Sequence, residues 1–384
     1  MYDLISVKKN LNVGDWEINS KTLALDTPHD WYVKKYTLHG GMQEGVEIIE
    51  VYNGKLTMKL IPTRGMNVLS VESDDLFLGW QSPVKQVVHP KHIDLNENGG
   101  LGWLYGFNEW MARCGIEFAG HPGVDDGRLL TVHGRVGQIP ASEVRVEIST
   151  SAPYRISIIG EVEEVHFKFC NFLLNAKVSM ELGSNTFNFD DTITNKATDE
   201  KEFMIIYHAN FSNPILEDGA KLHGTIEKIM PFDQAAADAI DAWHQYGPPA
   251  KEVAGELVYC MTPRADDQGN AHFMMENKAG NKGIAFSYAK KQLPYFAQWK
   301  NPDSLTNGYV TGLEPSTGFP HNRAWERHYN RVPKLKGGQS RRFQISYSIL
   351  STQSDVNKTR TQIETLNKGK TITIERTPET DPRT

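Results

Sequence analysis

Apolar and polar residues alternate with period two along most of the chain, the pattern of strands with one buried face, and rarely with the 3.6-residue period of a helix. Residues 46–52 and 55–61 form two such runs about Asn53-Gly54, a sequence signature of a hairpin. Further strands are expected at 155–163, 167–179, 186–194, 203–211, 283–289, 296–300, 309–314 and 342–349, with polar breaks of hairpin length at 181–185 and 195–199. Such a succession argues against a βαβ parallel sheet and leaves stacked antiparallel sheets or a barrel.

Two stretches depart from the alternation. Residues 84–126 are rich in Gly, His, Trp and Asn and read as a long excursion over the sheets, with a short helix expected at 107–113. Residues 233–243, around Ala235-Ala236-Ala237, read as a second short helix. From Ser354 the chain is polar, and residues 377–384, with Pro378 and Pro382 and no large apolar side chain, are expected to fray. No repeat or low-complexity linker divides the chain. The reading is one domain over 1–353, with strands from 1–45 packed on it, followed by a polar tail over 354–384.

Composition narrows the function. At 384 residues the chain can bury a core without disulfides, and 39% hydrophobic with 23% charged residues is ordinary for a globular protein. Its 41 Lys and Arg against 47 Asp and Glu give −6, the wrong sign for a protein that neutralises nucleic-acid phosphates. Cys114, Cys170 and Cys260 lie far apart without a CxxC and read as reduced core residues. The start lacks a secretory pattern, and the longest apolar runs fall far short of the roughly 20 residues that span a bilayer. A cytoplasmic location with no membrane partner is the expectation.

Phosphate-binding GxxxxGK[ST] and GxGxxG, the nucleophile elbow GxSxG and the zinc motif HExxH are all missing. His89, His92 and Glu97 lie in a loop with Pro90 between the histidines and read as loop residues rather than ligands. More informative are His208 and Glu314. Alternation along 203–211 places Met204, Ile206, His208 and Asn210 on one face, where core is expected. Glu314 is in phase with Val310 and Gly312, and Pro315 after it should stop the ladder. Alone, an inward His is more often a hydrogen-bonded core residue and a Glu before Pro a surface strand end. Together they suit the opening of a sugar hemiacetal, in which one group takes the anomeric proton and another protonates the ring oxygen.

Four stretches carry a resemblance: Ile61-Pro62-Thr63-Arg64-Gly65-Met66-Asn67-Val68, Val132-His133-Gly134-Arg135-Val136-Gly137-Gln138-Ile139-Pro140, Tyr207-His208-Ala209-Asn210-Phe211-Ser212-Asn213-Pro214 and Leu313-Glu314-Pro315-Ser316-Thr317. In this order they resemble the aldose 1-epimerase (galactose mutarotase-like) superfamily, closest to a bacterial branch known only as a domain of unknown function. The resemblance covers about residues 48–349. It implies an all-β fold, an antiparallel β-supersandwich with few short helices, and a sugar in a concave groove. By motif position Glu314 resembles the general base, His208 the general acid and His133 a sugar-orienting histidine. Arg64 matches the arginine of the branch's RGM motif and would bind a ligand hydroxyl or carboxylate, with a structural salt bridge as the alternative. Gln298-Trp299-Lys300 is also typical of the branch. Trp299 would stack on the sugar or pack in the core, Gln298 would read a hydroxyl, and Lys300 would favour an anionic ligand, as Arg64 and Arg323 would. Asn210 joins the substrate-binding set. The family's sugar-holding aspartate has no aligned counterpart, since Asp233 and Asp241 both lie in an insertion.

The resemblance thus implies an isomerase that exchanges the α and β anomers of a free sugar or sugar derivative, with no metal or organic cofactor and a small carbohydrate as its partner. The alternatives are a carbohydrate-binding or sensing protein that uses the same groove without turnover, and a lyase or glycosidase. The number of subunits stays open, a homodimer included.

Overall fold

Strands rich in β-branched and aromatic residues pair into two large sheets in the computed structural model, which describes residues 1–73 and 76–382. One sheet has ten strands and the other thirteen; the pairings are antiparallel except that Thr373–Ile374 runs parallel to Ile226–Pro231. The middle of the larger sheet runs in the order Leu257–Pro263, Tyr295–Asn301, Val310–Ser316, Met204–Phe211, Met111–Ile116, Asn67–Ser73. Facing it, Ser340–Leu350, Thr186–Asn195, Cys170–Glu181 and Arg155–His166 form the centre of the smaller sheet. This is the antiparallel supersandwich expected.

The main core lies between the sheets. Trp110 is its aromatic hub, with ring centroids 5.5 Å from Phe187, 6.0 Å from Phe211 and 5.2 Å from Tyr347. A buried ion pair crosses the same layer: Arg113 Nε donates to Asp191 Oδ2 at 2.6 Å, and the Tyr207 hydroxyl donates to that oxygen at 3.0 Å. With both charges paired and hydrogen-bonded, the cross-link avoids the cost of an uncompensated buried charge.

Every residue of Met204–Phe211 is buried, for two reasons. Ile205, Tyr207, Ala209 and Phe211 enter the intersheet core, whereas Met204 and Ile206 face the other way, into a smaller cluster with Trp103, Ala112 and Cys114. A run covered on both faces loses its polar alternation, so this segment reads as near-continuous hydrophobic sequence. Its outer cover is the 84–126 excursion.

The excursion differs from its expectation. The helix expected at 107–113 is absent, and Met111–Ile116 is a fully buried strand between Asn67–Ser73 and Met204–Phe211. Sheet pairing overrides local propensity there. The short helical pieces come earlier, at Pro90–His92, Glu97–Gly100 and Gly102–Gly106. Pro315 does not end its strand either, which continues to Ser316 with Phe296 opposite Pro315. At the Asn53-Gly54 hairpin, Asn53 does more than turn the chain. Its Oδ1 accepts from the Leu56 amide at 2.7 Å, while its Nδ2 donates to the carbonyls of Glu181 and Ser184, joining the two sheets.

The second insertion forms the helix Gln234–Asp238, capped by Asp233 Oδ1 on the Ala236 amide at 2.9 Å. The polar tail is largely ordered structure. Gln353–Asn367 is a helix capped by Thr352, which lays Val356 and Ile363 on Met274 and Leu350. Further on, Glu379 lies 2.7 Å from Arg331 Nη2, and the Tyr329 hydroxyl donates to the Thr380 carbonyl at 3.0 Å. These bonds involve Glu379 and Thr380, within the stretch 377–384 expected to fray, of which residues 383–384 lie outside the described residues. No described helix is long and apolar enough to cross a membrane.

Candidate active site

Register brings the two key residues together. Between Met204–Phe211 and Val310–Ser316 the pairing matches Ala209 with Leu313 and Asn210 with Gly312. Continued one step, it sets His208 directly opposite Glu314, on the face turned away from the intersheet core. Nε2 of His208 lies 3.3 Å from Glu314 Oε1. Small residues surround the pair: Ala112 opposite His208 on one side, Ala297 opposite Glu314 on the other, and Gly312 beside both. A Cβ on Gly312 would collide with Glu314 Oε1 and come 3.1 Å from the His208 ring. The hollow these residues leave has a volume of about 120 Å³, the liquid volume of roughly four waters. That suits a single sugar ring.

The excursion roofs this hollow. Phe107 stands edge-on to His208 with centroids 5.4 Å apart, Trp103 packs on Phe107 at 4.6 Å, and Trp299 lies 5.6 Å from His208 and 6.1 Å from Phe107. His133 enters from a tight loop in which it and Gly134 both have positive φ. A side chain at Gly134 would strike the carbonyls of Gly115 and Phe118, so that approach requires glycine. The His133 ring centroid is 5.1 Å from that of His208. His121 and Glu256 also line the hollow, both exposed at its mouth.

Burial sets the electrostatics. It pulls His208 down to about 4, which the Asn210 side chain opposes by favouring the imidazolium. It pushes Glu314 up to about 8, with the Glu256 charge adding to the rise. The same desolvation holds His133 well below the usual imidazole range, helped by the His208 and His121 rings. Without a ligand the facing pair is therefore a carboxylic acid beside a neutral imidazole. Moving that proton across the 3.3 Å contact gives the carboxylate and imidazolium with the same proton count. Buried polar atoms without a hydrogen-bond partner cluster here too: His208 Nδ1, His133 Nδ1, Glu314 Oε1 and Asn210 Oδ1. Such atoms are costly unless something fills their valence.

Of the residues expected to bind substrate, His133 and Trp299 line the hollow with His208 and Glu314. Asn210 shares the outer face but lies fully buried under the roof, its Nδ2 donating to the Glu109 carbonyl at 3.0 Å. Gln298 and Lys300 do not join them. Strand alternation turns both away from Trp299 to the other side of the sheet, where Gln298 Nε2 donates to the Tyr246 hydroxyl at 2.8 Å and Lys300 Nζ to the Gln245 carbonyl at 2.7 Å. Arg64 is likewise committed elsewhere. It is fully buried, 2.5 Å from Glu109 Oε1, and donates to Asn108 Oδ1 at 3.2 Å, so the structural salt bridge describes it. Arg323 pairs with Asp125 at 2.6 Å.

Sequence reasoning passed over Glu256, His121, Trp103 and Phe107. A signal for Glu256 was present, since it is in phase with Val258 and Cys260, both on the outer face of Leu257–Pro263. Its chain position between His208 and Glu314 is also where an acidic sugar-holding residue was sought. Elsewhere, Glu117, Glu164 and Cys170 converge as metal ligands might be arranged, but Arg135 already fills their centre, with Nη2 on the Glu117 carboxylate, 3.2 Å from Glu164 Oε1 and 3.8 Å from Cys170 Sγ. A guanidinium in that position supplies the charge a cation would bring.

Comparison with known proteins agrees with this architecture. Residues 43–349 match a family model described as a domain of unknown function, DUF4432. A candidate aldose 1-epimerase from Klebsiella pneumoniae is 38% identical, with 99% of this chain and 98% of that chain covered and a TM-score of 0.96. At the level of fold alone, a galactose mutarotase-like protein from Clostridium acetobutylicum matches at 14% identity over 89% of this chain and all of that one, TM-score 0.55. A galactose mutarotase related enzyme from Lactobacillus acidophilus matches at 13% identity over 79% of this chain and 98% of that one, TM-score 0.52. No curated protein sequence matches.

Proposed function

The chain belongs to the DUF4432 family, and from that premise we propose that it is an isomerase of the aldose 1-epimerase type, exchanging the α and β anomers of a free sugar by acid–base ring opening. The observation that carries this reading is the facing pair of His208 and Glu314, 3.3 Å apart in a hollow of sugar-ring size.

Two oxygens on one carbon must exchange protons in this reaction. Glu314, as carboxylate, takes the proton of the C1 hydroxyl while His208, as imidazolium, donates to the ring oxygen. The sugar's hydroxyls replace solvation lost on burial, which favours the charged form of the pair over the neutral one. C1 then rotates as an open aldehyde about the bond to C2, and closure on its other face reverses both transfers. His133 orients the ring, and Glu256 accepts from a hydroxyl at the mouth.

The substrate of this reading is uncharged. Among the described residues lining the hollow there is no Lys or Arg, and Arg64, Arg323 and Lys300 are all engaged elsewhere. A phosphate or uronate would meet Glu256 with no counter-charge. Polarimetry on freshly dissolved sugars tests the reading: neutral aldoses should equilibrate faster with protein present, and sugar phosphates and uronic acids should not. Saturable sugar binding with an unchanged rate of equilibration would instead make the protein a binding module.

A further inference from the structure

We propose that Lys300 is a covalent capture site for short-chain aldehydes, forming an imine in a second cavity, on the side of the sheet turned away from the sugar hollow. This cavity has a volume of about 130 Å³, the liquid volume of roughly four waters. Tyr246, Tyr259 and Tyr309 are buried in its wall with Lys300, whereas Ala242, Gln245 and Gly247 are exposed at its rim, so it opens to solvent. The hydrogen bonds of Lys300 suit an amine better than an ammonium. Its Nζ donates to the Gln245 carbonyl at 2.7 Å and to the Ala242 carbonyl at 3.2 Å. A neutral amine has two N–H groups, and these bonds use both, leaving the lone pair without a polar partner. An ammonium would hold a third N–H in that place. The Tyr246 ring, centred 4.7 Å from Nζ, attracts such a charge, but among the described residues no carboxylate opposes the cost of burial, which brings Lys300 down to about 7. At neutral pH about half of such a side chain is nucleophilic, against fewer than about one in 1,000 for an ordinary lysine.

The cavity's walls select the class of electrophile. Its buried hydroxyls are committed: Tyr309 donates to the Gly247 carbonyl, Tyr259 to the Ala239 carbonyl at 3.2 Å, and Tyr246 is bonded to Thr311 Oγ1 at 3.0 Å. A carbamate formed with carbon dioxide would therefore carry its charge against aromatic walls with no cation to meet it, whereas an imine is neutral. In the reaction the nitrogen lone pair attacks the aldehyde carbon as the π electrons of C=O move to oxygen. One N–H proton passes to that oxygen, and loss of water with the second N–H proton closes the C=N bond. No oxidant or reductant is consumed. The carbonyls that lose these protons belong to the exposed Ala242 and Gln245, where water can replace them. The cavity's size limits the aldehyde to two or three carbons, roughly four heavy atoms, and excludes an open-chain hexose.

The test treats the whole protein at neutral pH with propanal and cyanoborohydride, which reduces an imine to a stable secondary amine, and locates the adducts by peptide mass spectrometry. Lys300 should be labelled about tenfold or more faster than Lys8 and Lys278, whose side chains are 75% and 64% exposed. Naphthaldehyde, too large for the cavity, should label the exposed lysines and leave Lys300 unmodified. Labelling that simply follows exposure, with Lys300 no faster than Lys8, would overturn the proposal and leave Lys300 a structural cation. Equal labelling of Lys300 by both aldehydes would overturn it as well, because the cavity would then set no limit on the reagent. Neither result bears on the reaction proposed for the sugar hollow, which anomer exchange tests separately.

Discussion

Burial drives His208 and Glu314 toward their neutral forms, and that common direction fixes how activity should depend on pH. With Glu314 near 8 and His208 near 4, the pair holds one exchangeable proton between those values. Below about 4 it gains a second proton and loses its base; above about 8 it loses the proton its acid must donate. The kcat/KM for anomer exchange should therefore be level between these limits and fall on both sides, and a rate still rising at pH 9 would contradict the assignment. These two residues were legible from sequence because a period of two puts a histidine and a glutamate on faces otherwise given to apolar side chains. Arg64 was not. A sequence gives a guanidinium's position but not the carboxylate it meets, here Glu109, 45 residues on in the chain.

At the scale of elements, strand alternation both revealed the site and limited it. In Tyr295–Asn301, Trp299 faces the hollow, so its neighbours Gln298 and Lys300 cannot. Reading the three as one binding motif neglected that rule. Glu256 was missed for a related reason, since the strand Leu257–Pro263 had not been recognised and no phase could be assigned to it. The strand Met111–Ile116 was hidden in a segment rich in turn residues, and only its place between two other strands makes it extended. The element that roofs the site depends on Arg64. Glu109, its partner, also accepts from Asn67 Nδ2 at 3.0 Å and from the Asn108 amide at 3.1 Å, beside Phe107. Arg64→Ala would leave that carboxylate buried and unpaired, at a cost of about 3–5 kcal/mol. Urea denaturation should show the loss; a variant with wild-type stability and a raised KM would place Arg64 on the substrate instead.

For the whole molecule, the two sheets supply rigidity and the excursion supplies the site's enclosure. The sandwich was readable because long antiparallel strands leave a regular pattern. The roof was not, because it is built from short turns whose position depends on contacts distant in sequence, such as Trp80 Nε1 on the Glu109 carbonyl at 3.1 Å. One arrangement unites these scales: register across two central strands sets His208 against Glu314 at the floor of a roofed hollow. Its most direct test is two-dimensional exchange NMR on a neutral aldose with the wild-type protein and with Glu314→Gln at equal concentration. The wild type should accelerate anomer exchange, and the variant should lose about 10²- to 10⁴-fold of that acceleration while still binding the sugar. A variant as fast as the wild type would contradict the role given to Glu314, and with it the proposed reaction.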